Sequence, residues 1–202
     1  MKFPLRKGIL TIFAGLLLTT MAACAKPAPP VTYYSLSPLT VRSSPDTPVA
    51  VPALTVGVGP VRFPESLTRG QIAQRIDDQR LKYAEYHRWS GSLAEDFARV
   101  LLEDLSHQLG DAVQIGAFPW AKYFHPSRRV LVDVRRFDGS LGGEVVLDVR
   151  WTLTDGEGAA KLDGRRAVIK VPVPGPDFSD LVSAQSRAVE LLSREIAEAL
   201  RS

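Results

Sequence analysis

Chemistry at a protein site needs nucleophiles, acids, bases or metal ligands at workable spacing, and this 202-residue chain offers few. Its three histidines, His87, His107 and His125, stand about 20 residues apart, and none falls in an HExxH-type spacing that would turn two imidazoles onto one metal. They read as ordinary surface or half-buried side chains. Gly57 and Gly59 begin a GxGxxG pattern, but Arg62 takes the last glycine position and no helix start follows, so the helix N-terminus that would hold a phosphate is missing. There is no GxSxG elbow and no P-loop. Adjacent carboxylates occur at Asp77 with Asp78, Glu95 with Asp96, and Glu103 with Asp104, the last two pairs expected on the solvated side of a helix. The pairs Arg128 and Arg129, Arg135 and Arg136, and Arg165 and Arg166 lie near Asp133, Asp138 or Asp163, which predicts a mixed-charge surface rather than a basic patch. Tyr33, Tyr34, Tyr83, Tyr86, Trp89, Trp120 and Tyr123 could line a lipid groove, but Trp and Tyr are equally usual where a core meets solvent, and that packing role is preferred. No catalytic residue, cofactor or metal is expected.

The one reactive residue with a context is Cys24, the only cysteine. Residues 1–7 carry Lys2, Arg6 and Lys7, and Ile9 to Leu18 form an apolar run of signal-peptide length, too short to span a bilayer comfortably. The following Met21-Ala22-Ala23-Cys24 resembles a bacterial lipobox, with Met21 where Leu is usual. A single cysteine rules out an internal disulfide, and lipidation gives it a role: a palmitate-bearing, multiply acylated Cys24 would hold the chain on a membrane. By bacterial sorting rules Ala25, not being Asp, directs such a lipoprotein to the outer membrane, with the folded part in the periplasm.

The three leader charges account for the formal +3 of the chain: taking them from the 25 Lys and Arg leaves 22, against 22 Asp and Glu. A neutral body argues against nucleic-acid binding, which needs an excess of cations on one face, and 45% hydrophobic residues are enough to bury a core.

Stepping along the mature chain, seven prolines between Ala25 and Ala53 describe an extended tether, interrupted at Val31 to Leu36 by a β-branched and aromatic island expected to form a short strand. Leu54 to Val61 alternates like a strand with one glycine-bearing face, and Gln71 to Arg75 with Leu81 to Tyr86 reads as a hairpin. Ser92 with Glu95 matches a capping box, opening a helix with a Leu93, Phe97, Val100, Leu101, Leu105, Leu109 stripe that stops at Gly110. Runs at 130–134, 145–153 and 167–173 alternate as a three-strand meander, whose last strand, bearing Pro172 and Pro174, lies at an edge or ends there. A second amphipathic helix runs from about Phe178 to Arg201, capped by Asp177 or Ser179. These elements predict an α+β domain, an antiparallel-rich sheet packed by two helices.

The lipobox, Tyr33-Tyr34-Ser35-Leu36, Val56 to Leu67 (VGVGPVRFPESL), Arg88-Trp89, Val130 to Gly139 (VLVDVRRFDG), Gly143-Glu144-Val145, Trp151 and the Phe178 helix occur in an order that resembles the PqiC/YmbA family of ABC-type transport auxiliary lipoproteins. The resemblance implies a signal peptide over 1–23, a lipidated tether over 24–53 and an auxiliary lipoprotein domain over 54–202. It further implies a non-catalytic subunit of a lipid-transport system that docks a transenvelope MCE-domain protein to the outer membrane and supports membrane integrity, with homo-oligomers a possibility. The alternative is a lipoprotein that itself carries phospholipid. Only Cys24 transfers as a functional position; partner-binding residues are left open.

Overall fold

Valine at alternate positions and two amphipathic stripes leave the chain one way to hide its apolar surface, a sheet covered by helices on one side. The computed structural model describes residues 28–38, 54–110 and 113–202; Cys24, the leader and most of the proline-rich stretch lie outside the described residues. Along the chain run β1 (Thr32–Tyr34), β2 (Thr55–Arg62), β3 (Gln71–Arg75), β4 (Leu81–Trp89), α1 (Leu93–Leu109), β5 (Gln114–Ala117), β6 (Arg128–Gly139), β7 (Glu144–Asp155), β8 (Lys161–Pro172) and α2 (Phe178–Arg201). Residues Val31–Ser202 form one compact unit.

All eight strands join one sheet organised around β6. One side of β6 pairs antiparallel with β7 from Arg128↔Asp155 to Gly139↔Val145, and β7 pairs antiparallel with β8. The other side of β6 is shared: β2 lies parallel to its first half, Val56↔Arg128 to Arg62↔Asp133, and β3 reaches its end at Gln74↔Gly139. From there the sheet forks to β5, parallel to β2, and to the β3–β4 hairpin with β1 parallel to β4. The α+β class expected from the periodicities is therefore observed, and the sheet is mixed, with an antiparallel meander and parallel pairs. The third meander strand is an edge, as its prolines require.

Ser92 N-caps α1, accepting from the Glu95 N–H at 3.4 Å, and Gly110 ends it at φ 79°, a left-handed conformation that glycine adopts without a side-chain clash. Asp177 N-caps α2. Phe97, Leu101 and Leu105 of α1 and Leu181, Leu192 and Ile196 of α2 meet Val130, Leu147 and Trp151 of the sheet in one core, each fully buried. Transfer of each such side chain out of water contributes roughly 1.5–3 kcal/mol. Trp151 also donates its indole N–H to Glu195 Oε1 at 3.1 Å, fastening β7 to α2.

Two carboxylates of α1 correct the sequence reading. Asp104, expected in solvent, is fully buried, because it lies seven residues after Phe97 and so on the same stripe. Asp96 is only 17% exposed at its side chain: it accepts from the Leu36 N–H at 2.6 Å, while Arg99 donates to the Leu36 carbonyl at 2.8 Å. These bonds lock the segment after β1 onto α1, so the 31–36 island belongs to the folded body.

Candidate functional site: the uncovered sheet face

Strand alternation that sends Val130, Val132 and Val134 under the helices sends their neighbours to the opposite face, where no helix lies among the described residues. Register then assembles a cross-strand row from four strands: Arg62 of β2 beside Asp133 of β6, Asp133 opposite Arg150 of β7, and Arg150 opposite Arg166 of β8. Arg166 forks onto Asp148 with bonds of 2.9 and 2.7 Å, which together with the charges of Arg135 and Arg136 hold the Asp148 carboxyl below its usual range. Arg75 and Arg136 converge on Asp138, whose side chain is 3% exposed, and the bonds to Asp138 raise the Arg75 pKa. Arg165 pairs with Asp163 at 2.9 Å. The expected mixed-charge surface is thus present in part, but Arg62, Arg135 and Arg150 form no ion pair among the described residues. Arg62 and Arg150 border an open depression of about 200 Å³ that is also lined by Pro60, Leu131, Asp133 and Thr152.

Beside this row the β5–β6 connection, 118–127, crosses the same face over β2. The glycine-bearing side of β2 explains how it fits. A Cβ on Gly57 would come within 2.7 Å of the Trp120 indole, one on Gly116 within 2.7 Å of the Phe124 ring, and one on Gly59 within 2.9 Å of Phe118 Cβ. Glycines therefore form a bed on which the Trp120 and Phe124 rings and the Cβ of Phe118 lie. The Arg129 guanidinium covers the Trp120 ring at 4.7 Å and Phe118 meets it edge-on at 5.3 Å. Phe118 stays 50% and Tyr123 88% exposed, and Lys122, His125 and Glu157 line a cleft of about 460 Å³ behind them.

The family model for the ABC-type transport auxiliary lipoprotein component matches residues 34–197, most of the chain and nearly all of the folded body. The chain belongs to this family. As an ABC-type transport auxiliary lipoprotein it is a membrane-anchored component of a transport system, a role that implies partner subunits. Its architecture is that of two crystal structures. One is an uncharacterized protein with a TM-score of 0.70 at 19% identity, covering 85% of this chain and 99% of its own. The other, a Xanthomonas campestris protein of family DUF330, has a TM-score of 0.65 at 13% identity, covering 83% and 93%. At these identities the likeness concerns the fold alone. No curated protein matches the sequence significantly.

Within the auxiliary lipoprotein the residues singled out from sequence are dispersed. Cys24 lies outside the described residues, seven positions before Val31. His87 accepts from or donates to the Tyr34 hydroxyl at 2.8 Å and stacks on Phe178 at 4.1 Å, bridging β4, β1 and α2. His107 sits in the last turn of α1, and His125 in the crossover, where its carbonyl accepts from Thr55 Oγ1. Among the described residues no three His, Cys, Asp or Glu gather as metal ligands would. Trp89 is buried in the core, and Tyr83 donates to the Ser66 carbonyl beneath Arg69. Only Trp120 and Tyr123 share a site, together with Phe118 and Phe124, which the sequence reading passed over. The available signal was glycine alternating along β2, a vacancy that some larger side chain had to fill.

Proposed function

We propose that this chain is a non-catalytic, outer-membrane-anchored periplasmic subunit of an ABC-type lipid-transport system, holding a transenvelope MCE-domain protein to the outer membrane. The observation that carries the reading is the family match over 34–197 directly behind a lipobox-like Cys24. Val31, where the folded unit begins, follows that cysteine by only seven positions. A body held so close to one membrane is suited to receiving the end of a bridge from the other. Cargo held between sheet and helices is disfavoured, since the gap there lined by Leu67, Trp89, Leu93 and Phe137 has no room even for a water-sized sphere, whereas small-molecule sites have volumes of roughly 300–1,000 Å³.

The test is cross-linking in intact cells at native expression, followed by purification of the tagged lipoprotein from detergent-solubilised outer membranes. Recovery of the MCE-domain protein supports the reading, and its absence from the adducts contradicts it.

A further inference from the structure

The uncovered face has a charge and a composition that the stability of the fold does not account for. The row Arg62, Asp133, Arg150, Arg166 and the adjacent Arg135, Arg136, Asp138 and Asp148 set five arginines against three aspartates, although the chain beyond residue 23 is neutral. The positive charge is therefore concentrated here, and the rest of the body is correspondingly acidic. Arg150 lies directly opposite Arg166, a like-charge pair across the two strands. Arg62, Arg135 and Arg150 form no ion pair among the described residues, although Arg135 lies near enough to Asp148 for its charge to be felt there. Next to them the crossover seats Trp120 on Gly57 and Phe124 on Gly116, and presents Phe118 and Tyr123 to solvent, 50% and 88% exposed. Arginine and rigid aromatics are the side chains that dominate protein–protein contacts.

We infer that this face docks a partner protein with an acidic surface, Arg62, Arg135 and Arg150 pairing with its carboxylates while Phe118 and Tyr123 pack beside them. The inference rests on the docking role proposed above and names the surface that performs it. The depression of about 200 Å³ is open and shallow, the shape of a contact surface rather than of a small-molecule pocket. Asp133 sits between two arginines in the row, an interleaved pattern that reads a patterned protein surface; a bilayer of anionic headgroups offers no matching cation for it. An auxiliary component must touch another subunit of its transporter, so a different chain is the occupant rather than a second copy. Charge matching of this kind sets partner choice and the rate of encounter.

The experiment measures binding of the purified periplasmic portion of the MCE-domain protein to the full-length lipoprotein in detergent, by biolayer interferometry at two salt concentrations. Arg62→Glu/Arg150→Glu should weaken binding at least 30-fold and flatten its salt dependence, Arg62→Gln/Arg150→Gln should give a smaller loss, and Glu198→Lys on the exposed side of α2 should bind like wild type. Far-UV circular dichroism checks that each variant is folded, which exposed positions permit. If the wild type binds and the double variant binds equally well, the face is not the docking surface and the docking role stands. Failure of the wild type to bind removes both. Loss in the double variant of self-association, or of binding to phosphatidylglycerol vesicles, with partner binding unchanged, also overturns the inference.

Discussion

Replacing Gly57 by alanine adds one methyl group where the structure leaves no room for it. The new Cβ would stand 2.7–2.8 Å from three indole atoms of Trp120, whereas ordinary contact begins near 3.4 Å, so the ring must retreat by about 0.7 Å. It cannot retreat freely, with the Arg129 guanidinium at 4.7 Å and Phe118 at 5.3 Å. Overpacking of this kind costs about 1–3 kcal/mol, while alanine in place of glycine within a strand gains about 0.5–1 kcal/mol from the entropy of the unfolded chain. Steric cost exceeds entropic gain, giving a net loss of about 1–2 kcal/mol and a fall in Tm of about 2–8 °C for a domain of this size. In a Trp120→Ala background the obstacle is gone and only the gain remains, so the same substitution should stabilise by about 0.5–1 kcal/mol. The sign of the effect thus depends on a residue 63 positions away in the sequence. Urea unfolding of Cys24→Ala chains, followed by far-UV circular dichroism so that loss of an indole does not disturb the signal, gives the four stabilities of the cycle. Equal stabilisation by Gly57→Ala in both backgrounds would refute the claim that the crossover is seated on β2.

Asp148, with its folded pKa depressed by Arg166, contributes stability that is complete above the unfolded carboxylate range near pH 4 and is lost as pH falls through the lower folded value. Asp148→Asn should therefore lower the urea midpoint at pH 7 and flatten its decline in acid; an unchanged acid limb would mean that the pair is not coupled to folding. Asp138→Ala should cost about 2–3 kcal/mol by leaving Arg75 and Arg136 without their shared carboxylate, and a loss below 1 kcal/mol would show both arginines finding water instead. Cys24→Ala should yield a folded protein recovered in the soluble periplasmic fraction, and persistence in outer-membrane fractions would argue against the lipid anchor.

Most of the elements were readable because they leave a local period, whereas the four-residue β5 (Gln114–Ala117), too short to show one, was not expected. Alternating valines at 130–134 and 145–149, the Leu93 to Leu109 stripe between Ser92 and Gly110, and the α2 stripe behind Asp177 lie within a few residues of the observed strands and helices. Even the edge position of β8 followed from Pro172, since a proline has no ladder donor to give. Asp104 was misplaced because a carboxylate looks solvated from its type alone, while its burial follows from where α1 lies on the sheet.

What residue types and spacing determined by themselves was the inventory: a single cysteine in a lipobox-like context, a neutral chain beyond it, two amphipathic helices and a set of alternating strands. Which strands become neighbours was decided only by the tertiary structure. β2 lies parallel between β5 and β6, which follow it by more than 50 residues, and this pairing alone brings Arg62 beside Asp133 and Arg150, and Gly57 beneath Trp120. Periodicity reports which face a residue takes within its own strand, but a row across four strands depends on register between segments far apart in the chain. That register is set by how the whole apolar surface is covered at once, and no local window contains it.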